Sequence, residues 1–185
     1  MMELERDAML DKLLESYTTW YDVSRVEGQE PLVATAAFHE HGEKYVISRK
    51  AQLWAADRHE YVWFYSVPEL TEEIVKTCLE QTRAGGEEKV DPHRDHMSTS
   101  AVAVFLCDSA TEGAAAAVKH CRYRKSFQFS LQGWLEEHAV LINRGTGEVL
   151  GNPDGRESVK SLKDVLYPKP KKKGRTLRMI KEIIQ

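Results

Sequence analysis

A half-hidden repeat constrains this chain more than any other feature. Ser66, Glu69, Val75, Lys76 and Cys78 recur as Ser109, Glu112, Val118, Lys119 and Cys121, each 43 residues further on. An apolar run precedes each serine, Tyr61 to Tyr65 in the first copy and Ala101 to Cys107 in the second. The pattern predicts a buried strand, a Ser-x-x-Glu capping box and a helix, twice over. Strands followed by capped helices lay those helices side by side on one face of a common sheet. The shared positions are read either as convergent capping chemistry or as internal duplication. Duplication requires Cys78 and Cys121 to occupy equivalent places.

The remaining elements build around this unit. Leu10, Leu13, Leu14, Tyr17, Trp20 and Tyr21 fall on one helical face, so the chain should open with a helix that Gly28 and Pro31 end. Two hairpins should follow, Val33 to Phe38 with Lys44 to Ser48 around His41-Gly42, then Lys50 to Ala55 with Glu60 to Ser66 around Asp57-Arg58. The first repeat helix is expected over Glu69 to Arg83, stopped by Gly85-Gly86, and a charged linker over Glu87 to Thr99. The second repeat gives a strand from Ser100 to Cys107 and a helix from Thr111 to Tyr123. A last hairpin, Trp134 to Ile142 with Glu148 to Gly151, turns at Arg144 to Gly147. Val159, Leu162, Val165 and Leu166 mark a short amphipathic helix, and Leu177, Ile180 and Ile184 a final one. The expected fold class is α+β. A mostly antiparallel sheet should carry the two repeat helices on one face, with the N-terminal helix nearby. Residues 1–167 should form one domain and 168–185 a basic linker and C-terminal helix.

Composition narrows the function classes. With 42% hydrophobic and 30% charged residues, the chain is that of an ordinary globular protein. A formal net charge of −3 makes no whole-molecule case for nucleic acid. No apolar stretch approaches the roughly 20 residues of a membrane span, so no membrane partner is expected. The acidic N-terminus, Met1 to Asp7, does not read as a secretory leader. Three cysteines, all in expected helices or strands, read as reduced thiols in a cytoplasmic protein. No cofactor is expected, because no dinucleotide, P-loop, nucleophile-elbow or kinase signature occurs.

The densest polar cluster is Asp91-Pro92-His93-Arg94-Asp95-His96. His93, His96 and Asp95 are the candidates for acid–base work, and Asp91, His93 and His96 a weak metal set; His39 and His41, two apart on a strand, either pair on a metal or form an exposed edge pair. The alternative is a solvated loop in which His96 bonds a backbone carbonyl. Any activity should centre on His96 rather than His39, His41 or His59, since the last three lie at expected hairpin tips. Arg122 and Arg124, with Ser126, follow the second repeat helix. They either complement its dipole or converge on an anion. The run Lys169, Lys171, Lys172, Lys173 and Arg175 is either a linker or a weak, salt-sensitive holder of nucleic acid.

His96-Met97-Ser98-Thr99, Lys125-Ser126-Phe127-Gln128-Phe129, Gly133-Trp134 and Asn143-Arg144-Gly145-Thr146-Gly147-Glu148-Val149 together resemble an uncharacterised family of small proteins from anaerobic Gram-positive bacteria. The resemblance spans residues 10–155. It implies a bacterial, cytoplasmic setting, singles out His96, Ser126 and Trp134, and implies no reaction. Three functions compete. The first is a non-enzymatic module binding a small ligand or a protein, with Arg122, Arg124, Ser126 and Trp134 as its site; a second copy of the chain, as a homodimer, is among the partners considered. The second is a metal-dependent or acid–base hydrolase using the 91–96 cluster. The third is a nucleic-acid binder working through the basic tail.

Overall fold

A computed structural model of the chain describes residues 5–43, 55–92 and 96–168. Helix α1 (Arg6–Tyr17) leads into strands β1 (Asp22–Arg25), β2 (Leu32–Glu43) and β3 (Ala55–Leu70). Helix α2 (Glu72–Lys89) connects β3 to β4 (His96–Ala110), and α3 (Glu112–His120) with the short β5 (Arg124–Ser126) connects β4 to β6 (Trp134–Asn143). Strand β7 (Glu148–Gly151) and helix α4 (Arg156–Leu166) complete the order.

The strands form one sheet in the order β1-β2-β3-β4-β6-β5, with β7 also on β6. β1, β2 and β3 pair antiparallel, but β3, β4 and β6 pair parallel. The α+β expectation holds, while the mostly antiparallel sheet with two helices is corrected to a mixed sheet with four helices among the described residues. The physical reason is connectivity. A strand whose successor helix packs back onto the sheet must return in the same direction, as β3-α2-β4 and β4-α3-β6 do. Residues 101–107 of β4 are all buried, the mark of a strand covered on both faces.

Each sheet face has its own core. Val75, Cys78 and Leu79 of α2 and Ala114 and Val118 of α3 pack on Trp63, Tyr65, Ala103, Phe105 and Leu141. Met9, Leu10, Leu13 and Leu14 of α1, with Leu162 and Leu166 of α4, pack on Val62, Phe64, Val102, Val104, Val140 and Ile142. Burying each valine, leucine, isoleucine, methionine or phenylalanine among them stabilises by roughly 1.5–3 kcal/mol before entropy is counted.

Several local expectations change. The predicted turns at His41-Gly42 and Asp57-Arg58 lie within β2 and β3, which pair continuously from Ala34 beside Phe64 to Glu43 beside Ala55. Residues 44–54, where two more strands were expected, lie outside the described residues. The helices are capped by threonines, not serines: Thr71 Oγ1 accepts from Ile74 N at 3.3 Å and Thr111 Oγ1 from Ala114 N at 3.1 Å. The strand–cap–helix unit therefore repeats in another frame, with Leu70 beside Ala110. Cys78 sits inside α2, whereas Cys121 is the C-cap of α3, so the 43-residue duplication does not stand. Gly85 and Gly86 do not stop α2; they let it lie close. A Cβ on Gly86 would meet Ala101 Cβ at 2.9 Å, and one on Gly85 would meet the Trp63 ring at 2.7 Å.

The outer edge of β6 is shared by β5 at residues 134–136 and β7 at residues 140–143. Asn152 closes the gap between them. Its Oδ1 accepts from Ala139 N at 3.0 Å and Gly155 N at 2.9 Å, and its Nδ2 donates to Glu137 O at 2.9 Å and Cys121 O at 3.3 Å. Beside this seam, the fully buried Glu137 accepts a bidentate grip from Arg83, through Nε at 3.0 Å and Nη2 at 2.8 Å. Burial pushes the Glu137 carboxyl up and Arg83 pulls it back. The two-point geometry is that of an ion pair.

Candidate functional site

At the amino ends of the parallel strands, the face covered by α1 and α4 turns polar. Strand register sets the rows. Val62, Val102 and His138 lie side by side; next come Glu60, Ser100 and Glu136; then Arg58, Ser98 and Trp134. β5 extends the last two rows, placing Arg124 beside Glu136 and Ser126 beside Trp134. The apolar cover ends near Glu60. Tyr17, at the end of α1, meets Phe64 edge-on at 5.2 Å, and Tyr21 lies against Phe38 at 5.4 Å while donating to Glu60 Oε1 at 2.8 Å.

Four side chains on this platform form a chain of contacts. The Arg124 guanidinium lies 4.5 Å from the Trp134 ring centre. The indole Nε1 donates to Glu136 Oε2 at 3.1 Å, and His138 Nε2 donates to Glu136 Oε1 at 3.2 Å. The bond from His138 outweighs partial burial and holds the Glu136 carboxyl below the usual range, with Trp134 and Arg124 adding to the effect. Glu136 is therefore a carboxylate at neutral pH. The remaining ring nitrogen, His138 Nδ1, is buried and has no hydrogen-bond partner among the described residues. A buried polar atom is costly without a partner, so this nitrogen is where a water or a ligand's polar group would be held.

The structure brings together three of the four ligand-site residues expected from sequence, Arg124, Ser126 and Trp134. Arg122 is exposed in the connection before β5. His96 is buried at the start of β4 on the α2–α3 side. Its Nδ1 donates to Gln132 O at 2.7 Å and its Nε2 accepts from Thr99 Oγ1 at 2.9 Å. That threonine and histidine stand at the distance of a nucleophile and its base, but Thr99 is 0% and His96 3% exposed, so no substrate reaches them. His96 also packs near His59 and Phe127, each ring centre 6.3 Å away. Asp91 is exposed just after α2. His93, Asp95, Lys169, Lys171, Lys172, Lys173 and Arg175, and the side chains of His39 and His41, lie outside the described residues. Among the described residues no three His, Cys, Asp or Glu side chains group as metal ligands.

Glu60, Ser98, Ser100, Glu136 and His138 were not anticipated. The signal for two of them was present. Trp134, Glu136 and His138 alternate with buried Leu135, Glu137 and Ala139, so period-two reading of β6 places the first three on one face.

The opposite, carboxyl ends of the strands are clasped. Asp108 accepts from Arg6 and, at 2.6 Å, from Arg144 Nε, while Arg6 Nε donates to Ser66 at 3.1 Å. Arg144 above all holds the Asp108 carboxyl below its ordinary range.

A family model described as a domain of unknown function, DUF8052, matches residues 5–164. No curated protein and no solved structure matches the chain.

Proposed function

The chain belongs to this family of unknown function, and from that premise we propose that it is a binding module whose small ligand lies on the Trp134–Glu136–His138 platform. One observation carries the reading. Arg124, Trp134, Glu136 and His138 form a continuous contact chain on a half-buried sheet face and end in a buried nitrogen without a partner among the described residues. Aromatic surface combined with a few fixed polar groups is the usual make-up of small-molecule sites. The ligand chemistry follows from the acceptors. Glu60 and Glu136 flank Ser100, so the favoured ligand carries hydrogen-bond donors or positive charge. The setting is the cytoplasm, a reading supported by three free cysteines of which Cys78 and Cys107 are buried. Among the described residues no helix is long and apolar enough to cross a membrane.

The test is chemical-shift mapping of labelled protein against a panel of small amines and polyols. A specific ligand should move the amides of Ser98, Ser100 and His138 together with the Trp134 indole, and Glu136→Gln should remove the response without changing the melting temperature. Shifts confined to other surfaces, or a response untouched by Glu136→Gln, would sink the reading.

A further inference from the structure

The rows of the platform differ in depth. The row nearest the strand starts is open: Arg58 and Ser126 are exposed, and Ser98 and Trp134 between them are half-buried. In the next row Glu60, Ser100 and Glu136 are all half-buried. The third row is closed, since Val62 and Val102 are buried and the His138 side chain is 13% exposed. The polar face therefore slopes inward from a rim.

Charge is graded along the same slope. Two cations stand at the rim, Arg58 of β3 and Arg124, whose guanidinium reaches from the second row onto the Trp134 ring. That stack does not use up Arg124. A guanidinium lying on an aromatic ring presents its N–H groups in its own plane, where they can grip a carboxylate. Below the rim the groups are acceptors. Glu136 receives one bond on each oxygen and Glu60 accepts from Tyr21, while a carboxylate has room for about four. Deepest is His138. With Nε2 donating to Glu136, a neutral ring keeps a lone pair on Nδ1, which is one more acceptor. Rim and acceptors are two residues apart along each strand, or about 6.6 Å.

The geometry points to a linear zwitterion as the ligand, with a terminal ammonium descending to Glu60, Glu136 and His138 and a carboxylate about 6–7 Å behind it held at the rim by Arg58 and Arg124. This rests on the platform being the binding site and adds the ligand's class and its direction. An amine without an acid would leave the rim arginines unused. An acid without an amine would meet two acidic side chains below the rim. Hydrogen bonds between ionised partners are the strong ones, so both ends contribute to affinity and the distance between them sets selectivity.

Chemical-shift titration of the full chain at low salt tests this with δ-aminovalerate, pentylamine, pentanoate and glycine. δ-Aminovalerate should move the amides of Arg58, Ser100 and His138 with the Trp134 indole, and should bind about tenfold more tightly than pentylamine. Pentanoate and glycine should move none of these signals. Arg58→Gln should cut the tenfold preference to about threefold, and Arg58→Gln with Arg124→Gln to about one, with circular dichroism unchanged. Pentylamine binding as tightly as δ-aminovalerate at the same amides overturns the zwitterion and leaves the platform reading standing. The zwitterion is also overturned if glycine matches δ-aminovalerate, if pentanoate outdoes pentylamine, or if the preference survives loss of both arginines. Silence from both amines overturns it too, and silence from polyols as well overturns the platform reading beneath it.

Discussion

Replacing Asn152 by alanine should cost more stability than any other single polar substitution on the outer edge of β6. The side chain uses every donor and acceptor it has, on four backbone groups. The losses are unequal. Gly155 N keeps a bond to Asn152 O at 3.2 Å, and Cys121 is only half-buried. Among the described residues Ala139 N and Glu137 O have no second partner on that edge, and both residues are 0% exposed. Each orphaned buried group costs about 1–3 kcal/mol, so the two together cost about 2–6 kcal/mol, softened if water enters the space left behind. Asn152→Leu fills that space and should sit at the upper end. Asn152→Asp keeps both acceptors but sets a carboxylate against two carbonyls, and should match alanine or exceed it. Urea unfolding measures the loss as a drop in midpoint at constant slope. Hydrogen exchange localises it, since the Ala139 amide should lose its protection while the β3–β4 amides keep theirs relative to global stability. A loss below about 1 kcal/mol, or an Ala139 amide that remains protected, would refute the idea that one side chain replaces a strand here.

Other outcomes follow from the same bookkeeping of partners. Arg83→Met should destabilise by about 3–5 kcal/mol by stranding the buried Glu137 charge, and adding Glu137→Leu should recover most of it in denaturant melts. Gly133→Ala should cost roughly 2–4 kcal/mol, because φ is +76° and the new Cβ would lie 2.5 Å from His96 Nδ1 and 2.6 Å from Met97 O; nuclear magnetic resonance should show the β5–β6 loop amides shifting with it. Asp108 has a folded pKa below its unfolded one, so its contribution is present above the ordinary carboxylate range and is lost as pH falls through the folded value. Asp108→Asn should therefore flatten the acid limb of the stability–pH curve and leave the neutral region's slope unchanged. Burial pushes the thiols of Cys78 to about 11 and of Cys107 to about 12, so both should alkylate slowly at pH 8 in the folded protein and all three cysteines rapidly in denaturant.

The periodic signals in the chain carried as far as single elements and stopped at their pairing. The α1 face was legible because Leu10, Leu13 and Leu14 obey a 3.6-residue period and are buried. Direction was harder. The continuous apolar run of β4 already marked it as covered on both faces, yet nothing local in residues 101–107 states which way its neighbours run. Capping was misplaced because Ser66 and Ser109 have the right chemistry near the right helices, while the threonines at 71 and 111 are where the chain leaves the sheet. Glycine was misread for a similar reason. Gly85-Gly86 breaks propensity, and packing against Trp63 and Ala101 overrides it. At the platform, Arg124, Ser126 and Trp134 were within reach because they are close in sequence. Glu60 and Ser100 were not, because only the register of three parallel strands sets them beside Glu136.

The two helices that seal the platform side are made at opposite times. Among the described residues α1 is the first helix and α4 the last, and they touch, with Lys12 Nζ donating to Leu166 O at 3.3 Å. On the ribosome the chain emerges from its N-terminus. The unit β3-α2-β4-α3-β6 can cover its own side as it appears. The other side keeps Val140, Ile142 and Val149 under-covered until residue 166 is out. At about 5–20 residues per second, synthesis of the last stretch after β6 takes roughly one to five seconds. For that interval one face of the nascent sheet is only half covered, by the first helix alone, until the last arrives. Premature termination ahead of α4 would make that interval permanent, and the truncated product would be a client for chaperones or proteases rather than a weaker version of the protein.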